Sequence, residues 1–133
     1  QDAKAVGYLE EAASYGDHYP SLYYNLALAY GRVGREEDAI KAYRKTLDQD
    51  PTIIRAYINL GNVYFKKGTY QQAIEIYEAG LKQDPYAVNA RAYLGWAYFS
   101  LGNSIRARTE WQTVLRQAPG HDSALAGMQQ LRK

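Results

Sequence analysis

The sequence predicts an all-α solenoid built by stacking helical hairpins. Three observations predict it: a fixed internal period of 34 residues, apolar residues recurring at helical spacing inside each unit, and a glycine and a proline at matching places in successive units. Pro51, Pro85 and Pro119 lie 34 residues apart, and the same step links Gly34, Gly68 and Gly102. It also links Ala39, Ala73 and Ala107, then Leu26, Leu60 and Leu94, then Tyr30, Tyr64 and Tyr98, then Leu47, Leu81 and Leu115. Six positions sharing one register are a period and not a coincidence.

Each unit has a physical reading. Tyr57, Leu60, Gly61 and Tyr64 mark one buried helical stripe, ended by Lys66 and Lys67 at a helix C-terminus and by Gly68, the left-handed residue that stops the helix. Ala73, Ile74, Tyr77 and Leu81 mark a second stripe, closed by Asp84-Pro85, because the residue before proline is pushed out of helical geometry. Two short helices with a tight turn make a hairpin. Gly61 and Gly95 in first helices are expected to face Ala73 and Ala107 in second helices, allowing close approach.

The segment Ala56 to Pro85 resembles a tetratricopeptide repeat: its Tyr57, Leu60-Gly61, Tyr64, Ala73, Tyr77, Gly80 and Pro85 match that family's pattern. Tyr23, Leu26-Ala27, Tyr30, Ala39, Tyr43 and Pro51 carry it in the preceding unit, and Leu94-Gly95, Tyr98, Ala107, Trp111 and Pro119 in the following one. Arg91 departs from it, where an aromatic is expected, and predicts looser packing there. The resemblance implies a right-handed α-α superhelix in one domain over 1–133. It divides into a half repeat (1–19, second helix only), repeats at 20–53, 54–87 and 88–121, and a capping helix at 122–133 whose inner face is expected to be Leu125, Met128 and Leu131.

Composition narrows the function. With 47% apolar and 23% charged residues the chain is neither a disordered nor a membrane-inserting type. It opens on Gln1 without a secretory signal, which predicts a start inside a longer or processed product and leaves the compartment open. The absence of cysteine removes disulfides, thiolate metal sites and cysteine nucleophiles. A net charge of +2 is too small to make nucleic acid the main partner. The charge is uneven: Glu10, Glu11, Glu36, Glu37 and Asp38 fall early, while Arg91, Arg106, Arg108, Arg116, Arg132 and Lys133 fall late, which would draw an acidic ligand toward the C-terminal end.

Catalysis is not expected. His18 and His121 fall in separate turns a hundred residues apart, and His121-Asp122-Ser123 cannot form a hydrogen-bonded relay between neighbours; Asp122 or Ser123 reads better as a helix N-cap. Glu36, Glu37 and Asp38 open a helix, where acidic groups suit the dipole, so no metal or other cofactor is expected.

By the resemblance, first helices line a concave groove. The residues facing it would be Tyr24, Asn25, Leu28 and Arg32, then Arg55, Ile58, Asn59, Asn62, Phe65 and Lys66, then Asn89, Tyr93, Trp96 and Phe99. The set contains no acidic side chain, and amides with aromatics suit an extended peptide. Asn25 and Asn59, one period apart, would form two rungs of an amide ladder. Eight tyrosines, Tyr23, Tyr30, Tyr43, Tyr57, Tyr64, Tyr70, Tyr77 and Tyr98, are assigned to the core. The expected partner is therefore a protein or peptide, extended or acidic. Family members that take chaperone C-terminal tails use a lysine and an asparagine on one first helix, an asparagine on the next and basic residues on a third; the matching positions here hold Tyr24, Leu28, Asn59, Asn89 and Tyr93, of which only Asn59 agrees, which disfavours that ligand. The alternative is a homo-oligomeric scaffold, suggested by Tyr24, Tyr86 and Tyr93 as exposed aromatics.

Overall fold

The computed structural model describes residues 1–16 and 19–133, so His18 lies outside the described residues. Eight helices follow in order: α1 (Asp2–Ser14), α2 (Pro20–Arg32), α3 (Glu36–Gln49), α4 (Ile54–Lys66), α5 (Tyr70–Gln83), α6 (Val88–Ser100), α7 (Ser104–Gln117) and α8 (Asp122–Leu131). No strand occurs among the described residues. Each helix packs on its chain neighbours, α2 on α3, α4 on α5 and α6 on α7 most extensively, which is the hairpin stack of an all-α solenoid.

The turns repeat as faithfully as the sequence. Gly34, Gly68 and Gly102 hold φ of 80°, 81° and 91°. The amides of Arg35, Thr69 and Asn103 donate back to the carbonyls of Tyr30, Tyr64 and Tyr98 at 2.9, 3.0 and 2.8 Å, while the glycine amides donate to Gly31, Phe65 and Phe99. This double return bond satisfies carbonyls that a helix end would leave open, and it requires a left-handed residue, hence glycine. Second helices end differently: Asp50 and Asp84 are extended before proline, and each carboxylate accepts the amide two residues on, at 3.0 Å in both cases.

Inside the hairpins the glycines do not oppose alanine. A Cβ at Gly61 would lie 2.3–2.8 Å from the Tyr77 ring, and one at Gly95 would lie 2.3–2.7 Å from the Trp111 indole. The vacancy left by the glycine is filled by an aromatic side chain from the second helix, while Ala73 and Ala107 are fully buried. α8 follows the same rule. Its buried residues are Ala124 and Gly127, with Met128 and Leu131 half-buried, while Leu125 is 44% exposed, contrary to expectation. A Cβ at Gly127 would fall 2.4–2.5 Å from Trp111, so the smallest residues turn toward the bulkiest neighbour.

Seven of the eight tyrosines assigned to the core are buried; Tyr70 is half-buried and meets Phe65 edge-on at 5.1 Å. Three of the hydroxyls join successive units in one register: Tyr30 donates to Glu10 at 2.6 Å, Tyr64 accepts from Arg44 at 2.6 Å, and Tyr98 donates to Glu78 at 3.3 Å. Burial, reinforced by Glu10, pushes the Tyr30 hydroxyl up to about 12. Burial, with Tyr24 nearby, takes Tyr43 up to about 12 against the opposing pull of Asn59 and Arg32. Because these pKa values are raised on folding, their stabilisation is complete below the unfolded tyrosine value near 10 and is lost as pH rises through about 12. The urea midpoint is therefore expected to fall steadily across that window while tyrosinate absorbance grows; a flat midpoint would contradict the assignment.

Arg91 does not leave a loose spot. Its guanidinium donates to the Glu110 carboxylate at 2.8 Å and to the Pro85 carbonyl at 3.3 Å. One period earlier, the Tyr57 hydroxyl donates to the Pro51 carbonyl at 2.8 Å. The arginine thus keeps the tyrosine's carbonyl bond, and Glu110, standing where the second repeat has Ile76, neutralises it.

Candidate functional site

The first helices α2, α4 and α6 carry three columns at the period of the repeat: Asn25, Asn59 and Tyr93; Leu28, Asn62 and Trp96; Gly31, Phe65 and Phe99. The columns grow more aromatic toward the C-terminal end. There, a cavity of about 380 Å³ opens, lined by Asn62, Phe65, Tyr77, Tyr93, Trp96 and Ser123. Four of the residues expected in the groove, Asn62, Phe65, Tyr93 and Trp96, are thereby brought together from two helices. Lys66 joins Asn62 in a smaller adjoining cavity of about 160 Å³, bordered also by Gly31, Glu36, Ala39 and Val63.

Two lining residues escaped sequence reasoning. Tyr77 belongs to α5 and is fully buried by its ring, yet it crosses beneath Gly61 and ends at the cavity, where its hydroxyl donates to Asn62 Oδ1 and its ring stacks on Tyr93 at 5.9 Å. Burial first, then Tyr93, raises its pKa well above the ordinary tyrosine range. The available signal was the glycine itself: a helical vacancy across the same hairpin from a long aromatic with a polar tip. Ser123, in the first turn of α8, accepts the Trp96 indole N–H at 3.0 Å. It does not cap the helix. His121 does so, its Nδ1 accepting the Ala124 amide at 3.3 Å, which leaves Nε2 to donate to Asn89 Oδ1 at 2.7 Å. Asp122 follows in the first turn. No sequence pattern announces Ser123, whose role depends on where α8 settles against α6.

The remaining expected residues lie outside the cavity. Tyr24 is half-buried rather than exposed, edge-on to Tyr43 at 6.0 Å, and its hydroxyl accepts from Asn59 Nδ2 at 2.9 Å. The amide ladder is therefore uneven: Asn25 is exposed, while Asn59 is already engaged within the protein. Leu28 is half-buried, and Arg55, like Arg32, is exposed. Phe99 packs inward, tilted against Trp111 at 6.0 Å and edge-on to Trp96 at 5.8 Å. Trp96 also meets Trp111 edge-on at 4.9 Å, so the aromatic wall is rooted in the core.

No group of three histidine, cysteine or carboxylate side chains that could hold a metal occurs among the described residues. None of their helices is long and apolar enough to cross a membrane. No buried side-chain polar atom among them lacks a partner.

No curated protein matches the chain. Among solved structures, a MamA protein superposes with a TM-score of 0.82 at 25% identity, over 86% of this chain and 63% of that one. YrrB, described as a tetratricopeptide protein with an unusual peptide-binding site, gives 0.87 at 20% identity, over 96% of this chain and 66% of its own. The first tetratricopeptide domain of Spaghetti, solved with an HSP90 peptide, gives 0.77 at 21% identity, over 88% of this chain and 99% of its own. The chain thus spans less than two thirds of the length of that MamA protein and of YrrB. A family model described as tetratricopeptide repeat matches residues 64–131, and a second, described as TPR repeat, matches 33–68. The chain belongs to the tetratricopeptide repeat family.

Proposed function

We propose that this protein is a protein–protein interaction module, taking a peptide or helix of a partner protein along the inner faces of α2, α4 and α6. The observation that carries the reading is the cavity walled by Asn62, Phe65, Tyr93 and Trp96, a concave, largely apolar site with a few placed polar groups. Relatives in the fold described as peptide-binding or peptide-bound support it. Tyr24, Leu28 and Tyr93 offer no cation for a chaperone tail, and Asn59 and Asn89 are already bonded to Tyr24 and His121, which supports a different ligand.

A randomised peptide library displayed against the chain tests this directly. Selected peptides are expected to share a motif, and Trp96→Ala or Asn59→Ala is expected to weaken them while helical circular dichroism stays unchanged. A library that yields no binder, or binders indifferent to every groove substitution, would defeat the reading. Exposed Tyr8, Tyr86 and Ile105, at 69%, 76% and 79%, favour a second reading, self-association into a scaffold. Light scattering across concentrations separates the two, since a strict monomer excludes the second.

A further inference from the structure

The largest cavity is set apart by what its walls are made of. Four of its six lining residues, Phe65, Tyr77, Tyr93 and Trp96, are aromatic, and the other two, Asn62 and Ser123, are neutral and polar, so no aliphatic or charged side chain lines it. Smaller cavities are built otherwise. One beside α2 and α3 has Leu26, Lys41 and Lys45. The one bordered by Lys66 also has Val63 and Glu36. One between α5, α6 and α7 has Leu81 and Leu94 with Arg91, Arg106 and Glu110.

Phe65, Tyr93 and Trp96 make no ring contact with one another, so they stand apart around the space instead of closing it. Each leans on another ring: Phe65 on Tyr70 at 5.1 Å, Tyr93 on Tyr77 at 5.9 Å, and Trp96 on Trp111 at 4.9 Å. Ring faces carry negative potential and attract a cation. The Trp96 indole N–H and the Tyr77 hydroxyl each donate a hydrogen bond, to Ser123 and to Asn62, which returns electron density to the two rings and strengthens that attraction.

The kind of cation follows from what the walls lack. A primary ammonium brings three N–H donors and, once buried, needs a carboxylate or several free acceptors. No carboxylate lines the cavity, and Asn62 and Ser123 already accept from Tyr77 and Trp96. A quaternary ammonium carries its charge beneath methyl groups and asks for no acceptor. No fixed cation at the walls opposes it: Lys66 borders the adjoining cavity, where Glu36 stands too, and Arg91 and Arg106 face Glu110. A neutral group of the same shape would gain the contact without the attraction to the rings.

We propose that the space between α4, α5, α6 and α8 is a binding site for a trimethylammonium group, boxed by Phe65, Tyr77, Tyr93 and Trp96. The site goes beyond the capture of a partner peptide and does not rest on it, because about 380 Å³ is room for a small molecule of choline's size.

Three compounds titrated into the protein, with binding followed by calorimetry and tryptophan emission, test the proposal: choline, its neutral isostere with a tert-butyl group in place of trimethylammonium, and ethanolamine. Choline is expected to bind roughly tenfold or more tighter than either of the others. Tyr93→Leu, at a side chain 38% exposed, is expected to erase that preference, and Tyr93→Phe to keep it. Should the melting curve of Tyr93→Leu fall below the parent's, Phe65→Leu takes its place with the same expected loss. Equal binding of choline and its isostere, tightest binding of ethanolamine, or no binding of choline at millimolar concentration overturns the proposal. A trimethyl-lysine peptide run beside choline separates the sources of the group: tighter binding of the peptide assigns it to a methylated protein, weaker binding to a free small molecule. If library-selected peptides bind and choline does not, the box falls and the interaction module stands. If choline binds and no peptide is selected, the module falls and the box stands.

Discussion

Trp111→Ala is expected to cost about 3–5 kcal/mol, the largest effect of any single truncation in this chain, because it opens a cavity the surroundings cannot close. The indole is fully buried. It lies against the bare backbones of Gly95 and Gly127, on separate helices, and its N–H donates to the Ala92 carbonyl at 3.0 Å. Trp96 and Phe99 lean on it from the groove side. Removing it therefore takes packing from α6, α7 and α8 together and loses the second hydrogen bond to the Ala92 carbonyl. Glycine at both contact points means that neither of those positions has a side chain to refill the volume. Urea unfolding should show the loss as a lowered midpoint, with an early shoulder as α8 detaches before the rest. A loss below about 1 kcal/mol would mean that the three helices are not held by this ring.

Arg91→Ala is expected to cost about 3 kcal/mol, because it leaves a buried carboxylate without its partner. The Glu110 side chain is 7% exposed, and the second cation near it, Arg106, stands at 3.6 Å and is itself half in solvent. The pair is not indispensable as a pair. The first repeat meets the same positions with Tyr23, Ala42 and Thr46, all buried, and Val114 already supplies the near-isostere of Thr46 in the third. Arg91→Tyr combined with Glu110→Ala copies that arrangement and is expected to fall within about 1 kcal/mol of the parent, since replacing a buried ion pair by packed apolar groups is commonly neutral or stabilising. Chemical denaturation of the two variants side by side checks both statements. If the single variant is as stable as the double, the carboxylate is better solvated than its burial indicates.

These two sites show what the sequence could reveal and what it could not. The hairpins, their turns and their order follow from the 34-residue register, since Gly34, Gly68 and Gly102 and the prolines each act within a few residues of themselves. Contacts across the hairpin were harder. Periodicity says that Gly61 is buried, but not that a ring twice its span lies over it, and alanine at 73 was an equally regular candidate. Arg91 looked like a defect when considered alone, because its compensation at Glu110 lies nineteen residues away on another helix. In the groove, Phe65, Tyr93 and Trp96 were legible from register, whereas Asn59 and Asn89 were not legible as already bonded, because Tyr24 and His121 reach them from neighbouring helices. α8 was placed by its hydrophobic letters, and its true inward face is set by smallness.

Tyr77 belongs at once to the hinge of a hairpin and to the lining of a hollow: one end locks α4 to α5, the other looks out toward α6. On the proposed reading, a guest in the hollow would press on the same ring that clamps the two helices, so occupancy and cohesion would be thermodynamically linked. The middle of the stack is then firmest when it is occupied, and a tight guest at a hundred times its dissociation constant would add about 2.7 kcal/mol to the unfolding free energy.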